Sequence, residues 1–386
     1  MRPWTLRALL ACLALSAVLG CGLPPQTAPE PVAPAGGQPA SEAIQQQMAT
    51  LAFVAYLGEE LTGSDDKVET ELYPCLVDQL AAEPLTNGKW TLAWGPAVYK
   101  FDIAHYDDNM LYVVRDAANA AHLAIATRGT NAKAILDWLL EDLDVDHQVA
   151  WPYGNAPSDA KISKATENGL RVLQTMVPAS GPVPNQTLAQ FLQAESQAHG
   201  ALEIHVTGHS LGGALAPTLA LWLADTQRDW DASGQSTIAV VSLAGPTAGN
   251  AAFAAYSDSR IGASTTRLHN PYDVVPLAWN YATMGTIAGL YAPQIEPEKD
   301  IRDAIDLARD LVKDKGYAQI RPDAPALPGA LFGGTSYTEQ VGLQHTCGYQ
   351  CALGLVPPLY TPVSKDCKTG QDQEKSCSCP TTTPAP

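Results

Sequence analysis

The chain has 386 residues, with 40 Asp and Glu against 23 Lys and Arg, a formal net charge of −17. Its 46% hydrophobic content suffices for one large globular domain with appendages. The acidity excludes nucleic acid and anionic membrane faces as electrostatic partners, because both require a basic patch. A neutral apolar partner, held by burial of apolar surface, remains open.

Arg2 and Arg7 precede an apolar run from Ala8 to Leu19 that ends at Gly20-Cys21. A charged start, about a dozen apolar residues and a small residue at the cut site describe an export signal over residues 1–20. The run is shorter than the ~20 residues a membrane-spanning helix needs. Val18-Leu19-Gly20-Cys21 resembles a bacterial lipobox, which implies acylation of Cys21 and export to the cell surface or, in a Gram-negative host, the outer membrane. Plain secretion is the alternative. Residues 21–40, rich in Pro, Ala, Gly and Gln, read as a flexible tether between that anchor and the domain.

Ser41 is a suitable N-cap for a first helix through Gln45, Met48, Leu51 and Ala55. From there to residue 352, short apolar runs alternate with helical patterns, which predicts a mostly parallel central sheet with helices on both faces, in a single domain. The strands are expected at Leu111–Arg115, His122–Thr127, Leu202–Thr207, Thr237–Leu243 and Thr265–Asn270. Helices are expected near Ile135–Leu143, Lys164–Met176, Thr187–His199 and Leu211–Asp225. A further helix, Lys299–Lys315, places Ile301, Ala304, Ile305, Ala308, Leu311 and Val312 on one face, with Gly316 available as a cap. Residues 353–386 form a Cys-bearing, Thr/Pro-containing tail. Beyond Cys12 in the signal and Cys21, six cysteines remain: Cys75, Cys347, Cys351, Cys367, Cys377 and Cys379. An even number in an exported chain favours disulfides. Without a CxxC pair, cysteine-bound metal is not expected.

The expected strand ending at Thr207 runs into Gly208-His209-Ser210-Leu211-Gly212, a G-x-S-x-G turn that opens the helix Leu211–Asp225. Ser210 on a strained turn projects its hydroxyl above the sheet. The residues two before and two after pass too close for a side chain, which requires Gly208 and Gly212. A serine hydroxyl becomes a useful nucleophile only when a histidine removes its proton and an acid orients that histidine. In this arrangement the chain order is Ser, acid, His. Of eight histidines, only His269 and His345 follow Ser210 at a distance, and His209 beside it is expected to pack or hydrogen-bond. His269 falls inside a strand pattern, where its ring would be buried. Asp273 lies just past that strand's C-terminal end, where active sites of open α/β sheets form, so Asp273 and His345 are read as acid and base. The oxyanion donors are expected at the amide of Leu211 and at Thr130, in the loop after His122–Thr127.

Four separated motifs carry a family resemblance: Arg128-Gly129-Thr130 with Asp137-Trp138-Leu139, Gly208–Gly213, Gly245-Pro246-Thr247-Ala248-Gly249-Asn250 with Phe253, and Asp273-Val274-Val275-Pro276. Over about residues 45–352 the sequence resembles the class 3 lipases, the family of the fungal triacylglycerol lipases. The resemblance implies the α/β-hydrolase fold and a carboxylic ester hydrolase acting on acylglycerols or similar lipids, without cofactor or metal. It also implies a movable lid, for which Ile135, Leu136, Trp138, Leu139, Leu140 and Leu143 are the apolar candidates, a fixed helix being the alternative. Alternatives on the same machinery are a phospholipase and a cell-wall or polysaccharide esterase; outside it stands a catalytically silent surface lipoprotein. Three features depart from the family pattern. Ile162-Ser163-Lys164-Ala165-Thr166 stands where a His-x-Gly-Phe block is usual, Thr247 replaces a frequent Arg, and the stretch between Asp273 and His345 is long. None of these features sets an oligomeric state.

Overall fold

A computed structural model of the chain describes residues 38–59, 61–100, 107–129, 144–355, 377 and 379–380. The expected export signal, Cys21, the tether, Thr130 and the expected helix Ile135–Leu143 lie outside the described residues.

The central sheet has six strands in the order β1 (Trp90–Lys100), β2 (Asp107–Asp116), β3 (Asn119–Thr127), β6 (Glu203–His209), β7 (Thr237–Leu243) and β9 (Thr265–Leu268). The β1–β2 and β2–β3 pairs are antiparallel, whereas β3–β6, β6–β7 and β7–β9 are parallel. The parallel strands are buried on both faces and therefore read as continuous apolar runs. Alternate side chains feed two cores. Leu123, Ile125, Ile204, Val206, Ile238 and Val240 point to one face, and Ala124, Ala126, Val241 and Leu243 to the other.

The first face is covered by α3 (Lys164–Thr175), α4 (Leu188–His199) and α5 (Leu211–Asp225). Gly212 through Leu223 of α5 are all buried, as expected of a helix that is apolar all round. The second face is covered by α1 (Glu42–Val54) and α2 (Asp65–Ala82). Ser41 caps α1 by accepting from the Ile44 amide, as the sequence predicts. A small second sheet, in the order β10 (Tyr317–Ala318), β8 (Gly249–Asn250), β5 (Lys161–Ser163) and β4 (Gln148–Ala150), is antiparallel throughout.

The long stretch between Asp273 and His345 builds a third core. It includes Val274, Val275, Trp279, Ile305, Ala308, Val312, Tyr337 and Val341. Its helix α7 (Lys299–Leu311) is shorter than expected, with Val312 and not Gly316 as the C-cap. Leu311 is exposed beside Leu307 instead of joining the buried face. Two helices close the domain, α8 (Tyr337–His345) and α9 (Cys347–Ala352). Disulfides Cys347–Cys377 and Cys351–Cys379 staple the tail to α9, and Cys75 is disulfide-bonded as well.

Candidate active site

The nucleophile turn follows from two abutting elements. β6 ends at His209 and α5 begins at Leu211, which leaves Ser210 alone to reverse the chain at φ 62°, ψ −127°. A non-glycine residue held there stores strain, on the order of 1–3 kcal/mol. The Ser210 amide donates to the Leu243 carbonyl of β7 at 3.1 Å, which pins the turn to the sheet. A Cβ on Gly208 would lie 2.3 Å from the Gly212 carbonyl oxygen, and one on Gly212 would lie 2.5 Å from that of Thr127. Because backbone cannot yield as a flexible side chain does, Gly212→Ala is expected to destabilise the fold by about 1–3 kcal/mol, checked by urea unfolding.

Asp273 follows β9 and the Asn270–Asp273 turn, in which the Asp273 amide donates to the Asn270 carbonyl. His345 is the last residue of α8. Both are fully enclosed, and Nδ1 of His345 lies 2.9 Å from Oδ2 of Asp273. The carboxylate accepts two further bonds. Tyr349 Oη donates to Oδ2 at 2.9 Å, and the Val275 amide donates to Oδ1 at 3.0 Å. Such an acceptor-only group fixes the Nδ1–H tautomer of His345 and leaves Nε2 as the base nitrogen. That Nε2 is buried with no hydrogen-bond partner among the described residues.

His269, the other possible base, directly follows β9. The strand stops at Leu268, so the ring is half-buried rather than buried within a strand. Its Nδ1 lies 3.4 Å from Arg267. Burial, then the Arg267 charge, push its pKa down to about 4.

His209 takes the packing role expected of it. Its ring centroid is 4.5 Å from that of His345, and Nε2 bonds the His345 carbonyl at 2.7 Å. Its Nδ1 faces Tyr56 Oη at 2.8 Å. Burial and the neighbouring His345 hold His209 well below the ordinary imidazole range. It is therefore neutral, with Nε2–H donating to His345 and Nδ1 accepting from the tyrosine. Burial, with Glu59 second, raises the Tyr56 phenol, whose hydroxyl also meets the Gly129 amide and the Ser210 side chain. A Cβ on Gly129 would lie 2.4 Å from the His209 carbonyl oxygen and 2.8 Å from Ser210 Cβ. Gly129, just before the expected donor Thr130, thus lies directly against the nucleophile turn. Leu211, the other expected donor, opens α5, where helix amides and the positive dipole end face the serine.

Tyr56 and Tyr349 were not singled out by sequence reasoning, since their positions on distant segments carry no local signal. Tyr349 is fully buried, and its hydroxyl accepts from the Asn270 amide at 3.0 Å while donating to Asp273. Tyr349→Phe removes a charge-assisted bond and is expected to cost about 1.5–3 kcal/mol of stability. Thermal unfolding of the purified variant checks this.

The Gly-Pro block now has a physical basis. A Cβ on Gly245 would lie 2.5 Å from the Gly213 carbonyl carbon, and one on Gly249 would lie 2.3 Å from the Lys161 oxygen. Asn250 caps the next helix, α6 (Ala251–Ile261), by accepting from the Phe253 amide at 3.0 Å. Where the His-x-Gly-Phe block is missing, Ser163 caps α3 and its amide donates to the Ala248 carbonyl at 3.1 Å. Thr166 Oγ1 donates to the same oxygen, so this segment keeps a bond to the block.

The family model for class 3 lipases matches residues 124–281, from β3 through the nucleophile turn to Tyr281. The crystal structure of M37 lipase is similar at 35% identity and a TM-score of 0.76, covering 81% of this chain and 92% of that one. Phospholipase A1-Igamma2, chloroplastic, of Arabidopsis thaliana is 26% identical over 267 residues, 60% of this chain and 49% of that protein. The chain therefore spans about half the length of the curated relative it matches. Taken with the α/β-hydrolase sheet and its Gly208–Gly212 turn, these likenesses show that the chain belongs to the class 3 lipase family.

Proposed function

We propose that the protein is a serine carboxylic ester hydrolase acting on lipid esters, with Ser210 as nucleophile, His345 as base and Asp273 as the orienting acid. The observation that carries this reading is the enclosed His345. Its Nδ1 is committed to Asp273, its Nε2 is free of protein partners among the described residues, and its ring packs on the residue adjoining Ser210.

The steps follow from that arrangement. Nε2 of His345 takes the Ser210 proton as Oγ attacks the ester carbonyl, and the negative charge moves onto the carbonyl oxygen. The amides of Leu211 and Thr130 are proposed to stabilise that oxyanion, each to the extent of about 3 kcal/mol. His345 then protonates the departing alcohol, leaving an acyl group on Ser210. Water, deprotonated by the same nitrogen, releases the acid and restores the serine.

The decisive test is hydrolysis of p-nitrophenyl esters with short to long acyl chains, alongside emulsified triacylglycerol and phosphatidylcholine. Turnover that rises with acyl length and extends to triacylglycerol supports a lipase. The named activity of the plant relative favours a second reading, a phospholipase, which preferential release of fatty acid from phosphatidylcholine would select. No turnover on any ester would sink both readings. Export and an acyl anchor at Cys21 are proposed from the lipobox-like sequence. Incorporation of labelled palmitate that is lost in Cys21→Ser tests the anchor.

A further inference from the structure

At the opposite end of β6 from Ser210, the parallel register pairs His122 with Glu203 and Ala124 with His205. Side chains at 122, 203 and 205 therefore share one face of the sheet. His122 and His205 are each only 7% exposed, while Glu203 is exposed. One ligand atom from each of the three lies within 4.8 Å of the others. Nε2 of His122 faces Nδ1 of His205 at 3.0 Å. Nδ1 of His122 bonds Asp116 Oδ2, also at 3.0 Å, and Asp116 is held in turn by the Ala118 amide. The Trp90 ring packs edge-on against His122, with centroids 4.9 Å apart.

We propose that His122 Nε2, His205 Nδ1 and the Glu203 carboxylate form a binding site for a divalent transition metal, zinc being the best match. Two imidazoles and a carboxylate are a zinc ligand set, with the fourth position left to water. Asp116 plays the part of the outer carboxylate, taking Nδ1–H of His122 so that the Nε2 lone pair points inward. In the metal-free protein one proton sits between the two rings. Metal binding moves it from Nδ1 to Nε2 of His205, with no net change in protonation. Tetrahedral nitrogens at 2.0–2.1 Å from zinc stand about 3.3 Å apart, so the rings need separate by only a few tenths of an ångström. The exposed Glu203 leaves a route from solvent.

Ser210 lies five positions beyond His205, about 16 Å along an extended strand, so this ion would take no part in acyl transfer. Its effect is to join β3, β6 and the end of β2 at the rear of the sheet. A metal that binds only the folded chain adds stability in proportion to its concentration above Kd.

The test is calorimetric titration of zinc into the EDTA-treated, disulfide-intact protein, with thermal unfolding in parallel and zinc K-edge absorption to count imidazole ligands. One zinc per chain, a raised Tm and two imidazoles in the absorption spectrum are expected. Glu203→Gln, at an exposed position, should weaken binding at least about tenfold, and Asp116→Asn by about tenfold or more. His205→Ala should abolish it. Should that buried substitution fail to fold, Glu203→Gln and the ligand count still decide the matter. Exposed Asp144 and His147, with half-buried Asp146, are a competing group, so His147→Ala is the control and should bind as the wild type does. No stoichiometric binding, unchanged affinity in Glu203→Gln, or loss in His147→Ala would each overturn the proposal. In that case Asp116, His122 and His205 form a hydrogen-bond chain alone.

Discussion

Ser210→Ala is expected to lower kcat on any ester substrate by at least ~10⁴-fold while leaving the fold intact. Among the described residues, the groups around His345 offer no second nucleophile. Tyr56 is buried and protonated, and His209 has both ring nitrogens engaged. The turn itself is set by Gly208, Gly212 and the Ser210 amide, none of which the substitution touches. Ser210→Gly should be equally inactive yet no less stable, because glycine accepts φ 62° without the steric strain that serine bears. Steady-state kinetics on p-nitrophenyl esters and a denaturant titration of each variant read the two effects separately.

Asp273→Asn is expected to lower kcat by about 10³–10⁴-fold and, unlike Ser210→Ala, to lower stability as well. Three donors converge on this carboxylate: His345 Nδ1–H, Tyr349 Oη–H and the Val275 amide. A carboxylate accepts at both oxygens, whereas an amide must turn its NH₂ toward at least one of those donors. The buried clash costs about 1–3 kcal/mol. It also releases His345 to adopt the wrong tautomer, which removes the base. His345→Ala should match the kinetic loss without orphaning the tyrosine. Comparable kcat in wild type and Asp273→Asn would mean that Asp273 is a structural residue only.

The nucleophile turn was legible because strand, serine and helix are contiguous in the chain. The expected helix Leu211–Asp225 and strand Thr237–Leu243 coincide with the observed elements. The choice of His345 over His269 rests on His269 falling inside a strand pattern and on the place of Asp273 just after that strand; in the structure Nδ1 of His345 lies 2.9 Å from Oδ2 of Asp273. Other elements left weaker traces. Strand β1 carries Gly95-Pro96 and three register irregularities against β2, which break the two-residue period on which strand reading depends. Helix α2 contains Pro74, a residue that argues against a helix interior. The strands of the second sheet are two or three residues long, too short for any period. Tyr56 and Tyr349 reach the site through tertiary packing alone. A hydrogen bond between side chains 76 residues apart, as for Tyr349 and Asp273, leaves no mark in local sequence.

The most direct test of the central claim is peptide mass spectrometry after treatment of the folded protein with a fluorophosphonate, which phosphonylates only an activated serine. A single adduct on the peptide containing Ser210 is predicted, absent in Ser210→Ala and formed far more slowly in His345→Ala. No adduct, an adduct on another residue, or labelling of Ser210 at the wild-type rate in His345→Ala would contradict the proposed Ser210–His345–Asp273 chemistry.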